Sequence, residues 1–540
     1  MKPSNGLIKF LNNKFVLIVI IWSVLTAINI NKAYHIDDTF YLEAAQHIKD
    51  NPTKPMSGFI NWENDPVPIY KHNPPPLFFY FIVLTSVSFG FGEIPMHLLI
   101  SVFTFFALLL FYNLSVLLRI KNTNTLILLL AFSPAFVINQ NLMLDIPVIT
   151  ILLGFAYCLL KANITGKTQF YTLSALLLGV GLLFKYSLLP LIVLLLIVII
   201  LNREFKKLFV LLIPFGFLIA WSMWNYLEFG SVHMLGRSNS THILKVWAFP
   251  GCLGAIAFFS VSLLFSRYKS RVVKPKLYTM LSITILAIIL FAFNIVDEIF
   301  FANFMSVLFT LNGTFICFAL VSRFFIDIKL TSIFKNKPSN ELILYLFIAA
   351  LMLFIILFAP FIATRHILLM LPFALLIFAK EISIAPKKVN LSVISLTIFL
   401  GVLLGVSDWK YADYYREMAS KIELPDDKKV WTAGHWGWQW YSKQRGLIEY
   451  STNQSEPNVG DLIVYPGRVS MQELNENIKL SIINKVWDEP TLLTFVSGNN
   501  WASMYSSYLN KVPWTLSKTP IDTIFICKVD SIVQETIITN

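Results

Sequence analysis

The sequence predicts an α-helical protein that crosses a lipid bilayer many times, through about 13 helices of near-spanning length. Of its 540 residues, 56% are hydrophobic and only 14% are charged, whereas about a quarter of the residues in an average soluble domain are charged. Apolar runs recur from residue 15 to about residue 406, and a helix needs roughly 20 residues to cross a bilayer. The class predicted is therefore a polytopic membrane protein.

The predicted spans are apolar runs joined mostly by short polar links. Their bounds are residues 15–31, 95–118, 124–138, 146–161, 170–184, 187–202, 207–226, 247–266, 277–296, 299–322, 341–361, 364–380 and 390–406. The first run has a basic lead but ends in Asn29-Ile30-Asn31-Lys32, without a small-x-small cleavage site. It is interpreted as an uncleaved first helix rather than a signal peptide.

The basic residues of the links predict the orientation of the chain. The net charge is +12, but most Lys and Arg before about residue 407 lie in links, where they orient helices, so no nucleic-acid partner is expected. A further apolar run, Leu77–Phe91, is short and follows Pro74-Pro75-Pro76. If this run does not cross, most link cations fall on the cytoplasmic side, as the positive-inside rule requires. We therefore predict an interfacial or re-entrant helix there and a cytoplasmic N-terminus.

Two domains are predicted. Residues 1–406 form the transmembrane domain, in which residues 31–94 are a first extracytoplasmic loop with juxtamembrane helices. Residues 407–540 form a small extracytoplasmic α/β domain, because turn signals such as Leu424–Asp427 alternate with short β-type runs such as Asp461–Tyr465 and Ile521–Val529. The four cysteines show no metal-type spacing.

Two adjacent acids directly after the first helix, Asp37 and Asp38, are the first candidates for chemistry. Neighbouring carboxylates at a partly desolvated site suit a general base for an acceptor hydroxyl or amine, or ligands for a divalent cation. The alternative is that one of them caps the following helix. Tyr41 belongs to the same helical segment.

Three further candidates stand at predicted span borders on the same, outer face. Asp145 begins a span before Pro147, so it is either a functional acid or another helix cap. Lys185 interrupts an apolar stretch, which suits a snorkelling anchor or a phosphate ligand equally well. Arg365, followed by His366, offers a planar fork for phosphate oxygens, with an orientation anchor as the alternative.

The outer loop and the tail add weaker signals. Lys71-His72-Asn73 brings a cation and an imidazole to the outer surface. The aromatic stretch Gly434–Tyr441 could stack on sugar rings, although a core or membrane-interface position is the default for such residues. The sequence contains no Walker-type loop, GxGxxG or HExxH motif, so nothing in it supports an energy-coupled pump or a cytoplasmic nucleotide-sugar enzyme.

In their order along the chain, these features resemble glycosyltransferases of the C-type membrane fold that use polyprenyl-phosphate sugars. The nearest groups are the lipid A aminoarabinose transferases and the bacterial enzymes similar to protein O-mannosyltransferases. The resemblance is carried by Asp37–Glu43, the Pro-rich end of the first outer loop, Met143–Pro147, Phe184-Lys185, and Arg365 followed by Pro372.

The resemblance implies a donor, an acceptor and roles for the candidate residues. The donor is a polyprenyl-phosphate sugar, the acceptor a lipid, protein or glycan, and the location the outer face of the cytoplasmic (inner) membrane. Asp37 acts as base or acceptor-orienting acid, Asp145 as a second acid, and Lys185 and Arg365 neutralise the lipid phosphate. Asp38 is grouped with the catalytic acids, and Tyr41, His72 and His366 with the substrate-binding residues. A divalent metal ion, if one takes part, would be held by Asp37 and Asp145.

Three departures from the aminoarabinose branch indicate a different sugar. Asp38 stands where Glu is usual, Phe40 replaces an Arg, and His72-Asn73 replaces Glu-Lys before the prolines. Two other functions remain open from the sequence: a lipid-linked oligosaccharide flippase or other transporter, and a non-catalytic membrane scaffold that binds through its tail. A transporter should carry polar residues or Gly and Pro breaks at mid-span, whereas these spans are mostly bare.

Overall fold

The computed structural model describes residues 14–72, 74–236, 243–329, 337–490, 494–496, 502, 504–505 and 512–533. The described chain is mainly helical, with a two-stranded hairpin in the first loop and a five-stranded sheet in the tail. Asn73, one of the predicted departures, lies outside the described residues.

The α-helices are numbered in chain order. They are α1 Lys14–Asn29, α2 Asp38–Asp50, α3 Ile69–His72, α4 Leu77–Phe89, α5 Glu93–Leu117, α6 Thr123–Ala131, α7 Pro134–Ile138, α8 Asp145–Thr165, α9 Thr168–Leu182, α10 Pro190–Leu201, α11 Leu212–Phe229, α12 Leu244–Gly254, α13 Ser260–Arg267, α14 Ser270–Ala292, α15 Glu298–Asp327, α16 Asn340–Leu357, α17 Thr364–Ile367, α18 Leu371–Ile377, α19 Ala379–Ile384, α20 Lys387–Ser420 and α21 Trp436–Arg445. Short 3₁₀ turns, Tyr186–Leu188 and Phe205–Leu211, precede α10 and α11.

Seven helices among the described residues are long and apolar enough to cross a membrane, which confirms a multi-pass helical membrane protein. They are Glu93–Leu117, Asp145–Thr165, Phe205–Phe229, Ser270–Ala292, Glu298–Asp327, Asn340–Leu357 and Lys387–Ser420. The other six predicted spans coincide with shorter or interrupted helices, so the count of 13 stays a prediction. The ambiguous run forms a helix of 13 residues, Leu77–Phe89.

Three predicted spans, 124–138, 247–266 and 364–380, are interrupted, and hydropathy alone does not reveal the interruptions. In 124–138 the helix ends at Ala131 and a new one starts at Pro134, where the Ser133 hydroxyl caps the first turn. In 247–266 the helix stops at Gly254, where an added Cβ would lie 1.8 Å from the Phe309 carbonyl oxygen. This close backbone contact packs α12 against α15 and leaves room only for glycine.

The five-stranded sheet has the order β4-β3-β5-β7-β6, with β1 and β2 forming the hairpin. The strands are β1 Phe59–Ile60, β2 Val67–Pro68, β3 Val430–Thr432, β4 Ile448–Glu449, β5 Leu462–Pro466, β6 Ile478–Val486 and β7 Ile524–Ile532. Strand β3 pairs in parallel with β4 and β5, whereas β7 pairs antiparallel with β5 and β6. Strands β5 and β7 coincide with the two runs that the sequence predicted as strands.

Helix α20 joins the membrane part to the tail without a break. It contains 34 residues and continues to Ser420, so the predicted domain boundary at 406/407 falls inside it. Its last turns are buried against the tail: Tyr414 donates a hydrogen bond to the carbonyl oxygen of Asp522 (2.7 Å) and Tyr415 to its carboxylate (3.1 Å). The division into two domains remains a prediction.

The tail packs directly on the start of the loop between α1 and α5. The Tyr34 amide donates to the Tyr441 hydroxyl (2.7 Å), which in turn donates to the Glu93 carboxylate (2.9 Å). Trp438 is fully buried and donates to the Thr432 hydroxyl (2.8 Å). The aromatic stretch Gly434–Tyr441 therefore lies mainly in a core, as the default interpretation held.

Candidate active site

A cavity of about 450 Å³ lies where the loop between α1 and α5 meets the ends of several membrane helices. It gathers six of the eight residues that the sequence singled out. Those six are Asp37, Tyr41, His72, Lys185, Arg365 and His366. They come from the first loop, the link after α9 and the short helix α17, so the fold brings distant parts of the chain to one place.

Asp37 enters the cavity from a strained turn. The residue before it, Ile36, has φ 52°, a left-handed conformation that is rare for a β-branched residue. Asp37 occupies the N-cap position of α2, but its side chain makes no capping hydrogen bond. Strain of this kind persists where the surrounding structure holds it, often at functional sites. The carboxylate is thereby directed to a partner other than its own helix.

That partner is Arg365. Its Nη1 donates a hydrogen bond to Asp37 Oδ2 at 2.9 Å, and the two side chains are 8% and 24% exposed, respectively. Nη1 also contacts the Met143 sulfur (3.2 Å), and the guanidinium carbon lies 5.6 Å from the Phe361 ring centroid. All described side-chain hydrogen bonds of Arg365 use Nη1, and its buried Nε has no partner among the described residues. The guanidinium group therefore has N–H donors that remain available to another ligand.

Asp145 lies behind this pair and joins it to Lys185. The Lys185 ammonium donates to Asp145 Oδ1 at 3.1 Å, and Arg365 Nη1 lies 3.8 Å from Asp145 Oδ2. Asp145 is the first residue of α8 and its side chain is only 2% exposed, whereas Lys185 is 27% exposed. Two acids and two cations therefore form one connected cluster, and each buried carboxylate has a cation beside it.

Asp38 occupies a different place from the one its prediction as a catalytic acid would require. It is fully buried, and its carboxylate accepts a hydrogen bond from the His35 amide (2.8 Å) instead of lining the cavity. Burial raises the pKa of Asp38 to about 8. The two acids are adjacent in sequence, but the helix start sends one into the cavity and the other into the protein interior.

The remaining predicted residues line the cavity from separate sides. His72 Nε2 lies 3.2 Å from the Glu63 carboxylate. Tyr41 is buried, with its ring 5.3 Å from that of Phe79. The His366 ring lies 5.3 Å from the Phe361 ring, next to Arg365.

Sequence reasoning missed a hydrogen-bonded group beside Lys185. The Tyr186 hydroxyl lies 2.9 Å from His233 Nδ1 and accepts a hydrogen bond from Trp221 Nε1 (2.9 Å). Tyr186 lines the cavity. Each of these residues is an unremarkable aromatic or histidine in sequence, and only the fold brings them together, so no pattern could have identified them.

Lys245 is a second residue whose position was not predicted. It is 2% exposed, and its ammonium donates to the carbonyl oxygens of Ile356 (3.4 Å) and Ala359. These carbonyls lie at the C-terminal end of α16, where a cation is favourable. Lys245 thereby fixes the chain around Ala359, which lines the cavity.

One wall of the cavity is apolar. It consists of side chains from the end of α16 and the segment that follows it: Phe354, Ile355, Phe358, Ala359, Pro360, Phe361 and Leu369. Phe358 is 51% exposed on the outer surface of this wall. A ligand with a charged head and an apolar chain could therefore place each part against matching surface.

The roof of the cavity connects it to the tail. Trp62 lines the cavity, and its ring lies 4.8 Å from that of Phe40 and 5.9 Å from the tail's His435. The neighbouring Asn61 amide donates to Glu43 (2.9 Å), and Gln439 of the tail donates to the other oxygen of Glu43 (2.5 Å). Glu43 is half-buried there, and desolvation raises its pKa to about 7.

Metal binding by Asp37 and Asp145 stays a prediction. Over the described part of the chain, no group of three or more His, Cys, Asp or Glu side chains is arranged to hold a metal ion. Asp37 and Asp145 each have a cation as their nearest charged partner.

Residues 73–226 match the family model described as dolichyl-phosphate-mannose-protein mannosyltransferase. The match confirms the resemblance to polyprenyl-phosphate-sugar glycosyltransferases that the sequence predicted. It includes Asp145 and Lys185 of the site. No curated protein sequence matches the chain.

Among solved structures, the chain is similar to ArnT from Cupriavidus metallidurans bound to undecaprenyl phosphate, at 13% identity and TM-score 0.43, covering 86% of this chain and 94% of the other. It is also similar to the Archaeoglobus fulgidus oligosaccharyltransferase in complex with Zn and sulfate (12% identity, TM-score 0.47, coverage 83% and 67%). A third similar structure is AglB from Archaeoglobus fulgidus with an inhibitory peptide and a dolichol-phosphate (11% identity, TM-score 0.47, coverage 84% and 69%). At this level of similarity, the site of the present chain has to be understood from its own geometry.

Proposed function

We propose that the protein is a C-type integral-membrane glycosyltransferase that moves a sugar from a polyprenyl-phosphate donor to a lipid, protein or glycan acceptor. The reaction takes place in the cavity around Asp37 and Arg365, on the outer face of the cytoplasmic membrane. The observation that carries the proposal is the meeting of Asp37, Asp145, Lys185 and Arg365, from four separate segments, beside an apolar wall.

The donor phosphate binds at the two cations. Lys185 and Arg365 both line the cavity and both contact Asp145, so a single anion placed between them would meet both. Arg365 can keep Nη1 on Asp37 and turn its uncommitted donors to phosphate oxygens, which the planar fork suits. The prenyl chain lies along the apolar wall formed by the end of α16.

The transfer is an inverting displacement. An acceptor oxygen or nitrogen attacks the anomeric carbon, the bond from that carbon to the phosphate oxygen breaks, and the polyprenyl phosphate leaves with the electron pair. Asp37 orients the acceptor and receives its proton. Lys185 and Arg365 stabilise the charge that grows on the leaving phosphate, which is the transition-state role of fixed cations in a poorly hydrated site.

Asp145 acts on the cations rather than on the acceptor. It is almost completely buried and contacts both Lys185 and Arg365. A carboxylate in that place holds the two side chains in the geometry that the phosphate requires and offsets their mutual repulsion in the empty site. The family match over residues 73–226, which contains Asp145 and Lys185, supports a lipid-phosphate-linked donor.

The proposal is tested in cells that lack the gene and carry it back as wild type, Asp37→Asn or Asp50→Asn. Asp50 is an exposed acid at the end of the same helix, so Asp50→Asn is the matched control. Mass spectrometry of surface glycans, lipids and proteins should show one sugar addition that returns with wild type and Asp50→Asn but not with Asp37→Asn.

Equal amounts of folded protein, checked by size-exclusion chromatography in detergent, are required for all three. Return of the full glycan with Asp37→Asn would refute the role of Asp37. Purified protein that moves a labelled lipid-linked sugar across vesicles but forms no new glycosidic bond in detergent would instead identify a flippase.

A further inference from the structure

A second cavity, of about 460 Å³, lies at the opposite end of the helix that forms the apolar wall of the first. Asn340 and Glu341, the first residues of α16, line this second cavity, whereas Phe354 and Ile355 near its last turn line the first. At 1.5 Å per residue an 18-residue helix is about 27 Å long, close to the thickness of a bilayer core. The two cavities therefore lie at opposite ends of the helix bundle.

The second cavity has an excess of positive charge. Four cationic side chains line it, Arg119, Lys121, Arg323 and Lys380, against two acids, Asp327 and Glu341. The positive-inside rule predicts that all four cations lie on the cytoplasmic face, but no sequence pattern indicates that they surround one space.

One of the four cations is already committed to acids. Arg323 Nε donates to Asp327 (2.8 Å), and its Nη1 lies 3.1 Å from the buried Glu381. Arg323 thus neutralises the deeper acid of the cavity, and the Tyr345 hydroxyl donates to that acid as well (3.2 Å). Glu341, at the exposed edge, is the acid that opposes a bound anion.

The other three cations are available. Arg119, Lys121 and Lys380 are exposed, and none of them forms an ion pair with any residue in the part of the chain that the structure describes. Arg119 and Lys121 follow α5 and Lys380 belongs to helix α19, and the fold places all three around one opening. Cations that converge on an opening without forming ion pairs favour an anionic ligand.

The surroundings of the opening are apolar. Leu118, Leu344, Leu376 and Ile377 form the inner wall, and Ile384 at the rim is 62% exposed. Apolar surface next to free cations, at the end of membrane-spanning helices, matches the boundary between acyl chains and headgroups.

We propose that this cavity binds the phosphate-bearing headgroup of an anionic membrane phospholipid. The phosphate lies among Lys121, Lys380 and Arg119, and the first part of the acyl chains lies against the apolar rim. Free phosphate shares the charge but would leave the apolar wall unused, which is why the lipid is the favoured source. The site is separate from the sugar-transfer cavity and does not depend on the function proposed for it.

The test measures lipid binding to the full-length purified protein by native mass spectrometry, with phosphatidylglycerol, phosphatidylcholine and inorganic phosphate as probes. The variant is Lys121→Gln/Lys380→Gln. The control is Lys387→Gln/Lys388→Gln, two exposed lysines at the start of the neighbouring helix α20 that do not line the cavity. All four lysines are exposed, so both double variants should fold, which thermal melting checks.

We expect the Lys121→Gln/Lys380→Gln variant to bind phosphatidylglycerol about tenfold more weakly than wild type, since each cation near a membrane surface contributes to the attraction of anionic lipid. The control should bind it like wild type. Equal weakening by both variants, or binding of phosphatidylcholine as tight as that of phosphatidylglycerol, would overturn the proposal. Displacement of the lipid by inorganic phosphate at the same concentration would overturn the choice of a lipid.

Discussion

The Asp37 carboxylate and the Arg365 guanidinium are 328 positions apart in sequence and form a hydrogen bond of 2.9 Å at the edge of the first cavity. The bond joins the loop between α1 and α5 to the short helix α17, and Asp145 lies behind it at 3.8 Å from the same nitrogen. The acid proposed to handle the acceptor and the cation proposed to handle the donor are thus held together before either substrate arrives. Such preorganisation lowers the cost of orienting the reacting groups.

Substitutions of Arg365 should distinguish the contribution of its positive charge to donor binding from that of its planar arrangement of hydrogen-bond donors. Arg365→Ala removes the fork that the lipid phosphate needs, and we expect the Kd for a short-chain polyprenyl phosphate to rise roughly tenfold to a hundredfold. Arg365→Lys keeps the charge but loses the planar arrangement of donors, so it should lie between Ala and wild type. Binding is measured by titration in detergent.

The control for Arg365 is Lys428→Ala, an exposed basic residue in the turn before β3. This variant should bind the lipid phosphate like wild type. Equal affinity of wild type and Arg365→Ala would remove Arg365 from the donor site.

Glu43 should make the stability of the protein depend on pH. Its pKa is raised from 4.5 to about 7, mainly by burial. The folded state therefore binds the proton more tightly than the unfolded state, and stability falls as pH rises from about 4.5 to 7. The contribution is at most about 3 kcal/mol by the usual conversion of pKa differences.

Glu43→Gln should flatten that dependence. The substituted amide resembles the protonated acid, and the Gln439 amide can turn so that its oxygen, buried without a partner among the described residues, accepts the new donor. Melting temperatures at pH 5.5 and pH 8 should therefore differ less in Glu43→Gln than in wild type. An unchanged difference between the two pH values would show that Glu43 does not titrate in this range.

Docking of the tail should depend on the absence of a side chain at residue 437. A Cβ on Gly437 would lie 2.4 Å from the Tyr34 carbonyl oxygen, at the contact between the tail and the first loop. We expect Gly437→Ala to destabilise the protein by about 1 to 3 kcal/mol, as overpacking does. Limited proteolysis of the tail and thermal melting measure the loss.

Gly216→Ala is the matched control, because a Cβ at that helical position meets no atom within 4 Å. It should leave the melting temperature unchanged or raise it slightly, since alanine favours helix. If Gly437→Ala behaved like this control, the close contact with Tyr34 would not limit tail docking.

Replacing one member of the buried ion pair Lys32–Asp408 should lower the stability of the protein more than replacing both members with apolar residues. Both side chains are 0% exposed, and Lys32 also donates to Asn141 (2.5 Å). Lys32→Met leaves the Asp408 carboxylate buried, with Tyr505 (2.7 Å) as its one remaining donor among the described residues, and we expect a loss of about 3 to 5 kcal/mol. The double variant Lys32→Met/Asp408→Leu should recover much of the lost melting temperature. A double variant less stable than Lys32→Met would contradict this interpretation.

The sequence predicted the membrane class, and it predicted that the charged residues of the first cavity share one membrane face. Each prediction has a physical reason. Long apolar runs and link charges report the environment of each segment directly. Charged residues at span borders are few, so Asp145, Lys185 and Arg365 stood out, and the structure brings them together with Asp37. Their catalytic and binding roles remain predictions.

Other features depend on backbone direction and on distant contacts, which composition does not encode. Hydropathy gave one span over 364–380, but the chain there forms three short helices, α17, α18 and α19. Asp37 and Asp38 are chemically alike, and only the turn at Ile36 sends them to different places. Tyr186 and Lys245 became recognisable only through their partners.

Helix α20 passes unbroken from its start at Lys387 to Ser420, so the tail is not suspended on a flexible tether. Any rotation of the tail's sheet would have to tilt or bend helix α20. This helix also packs against α21 of the tail and contacts Asn31 of the first loop. Under the proposed function, an acceptor held by the tail would therefore stay at a fixed distance from the first cavity, and only an acceptor long enough to cover that distance would react.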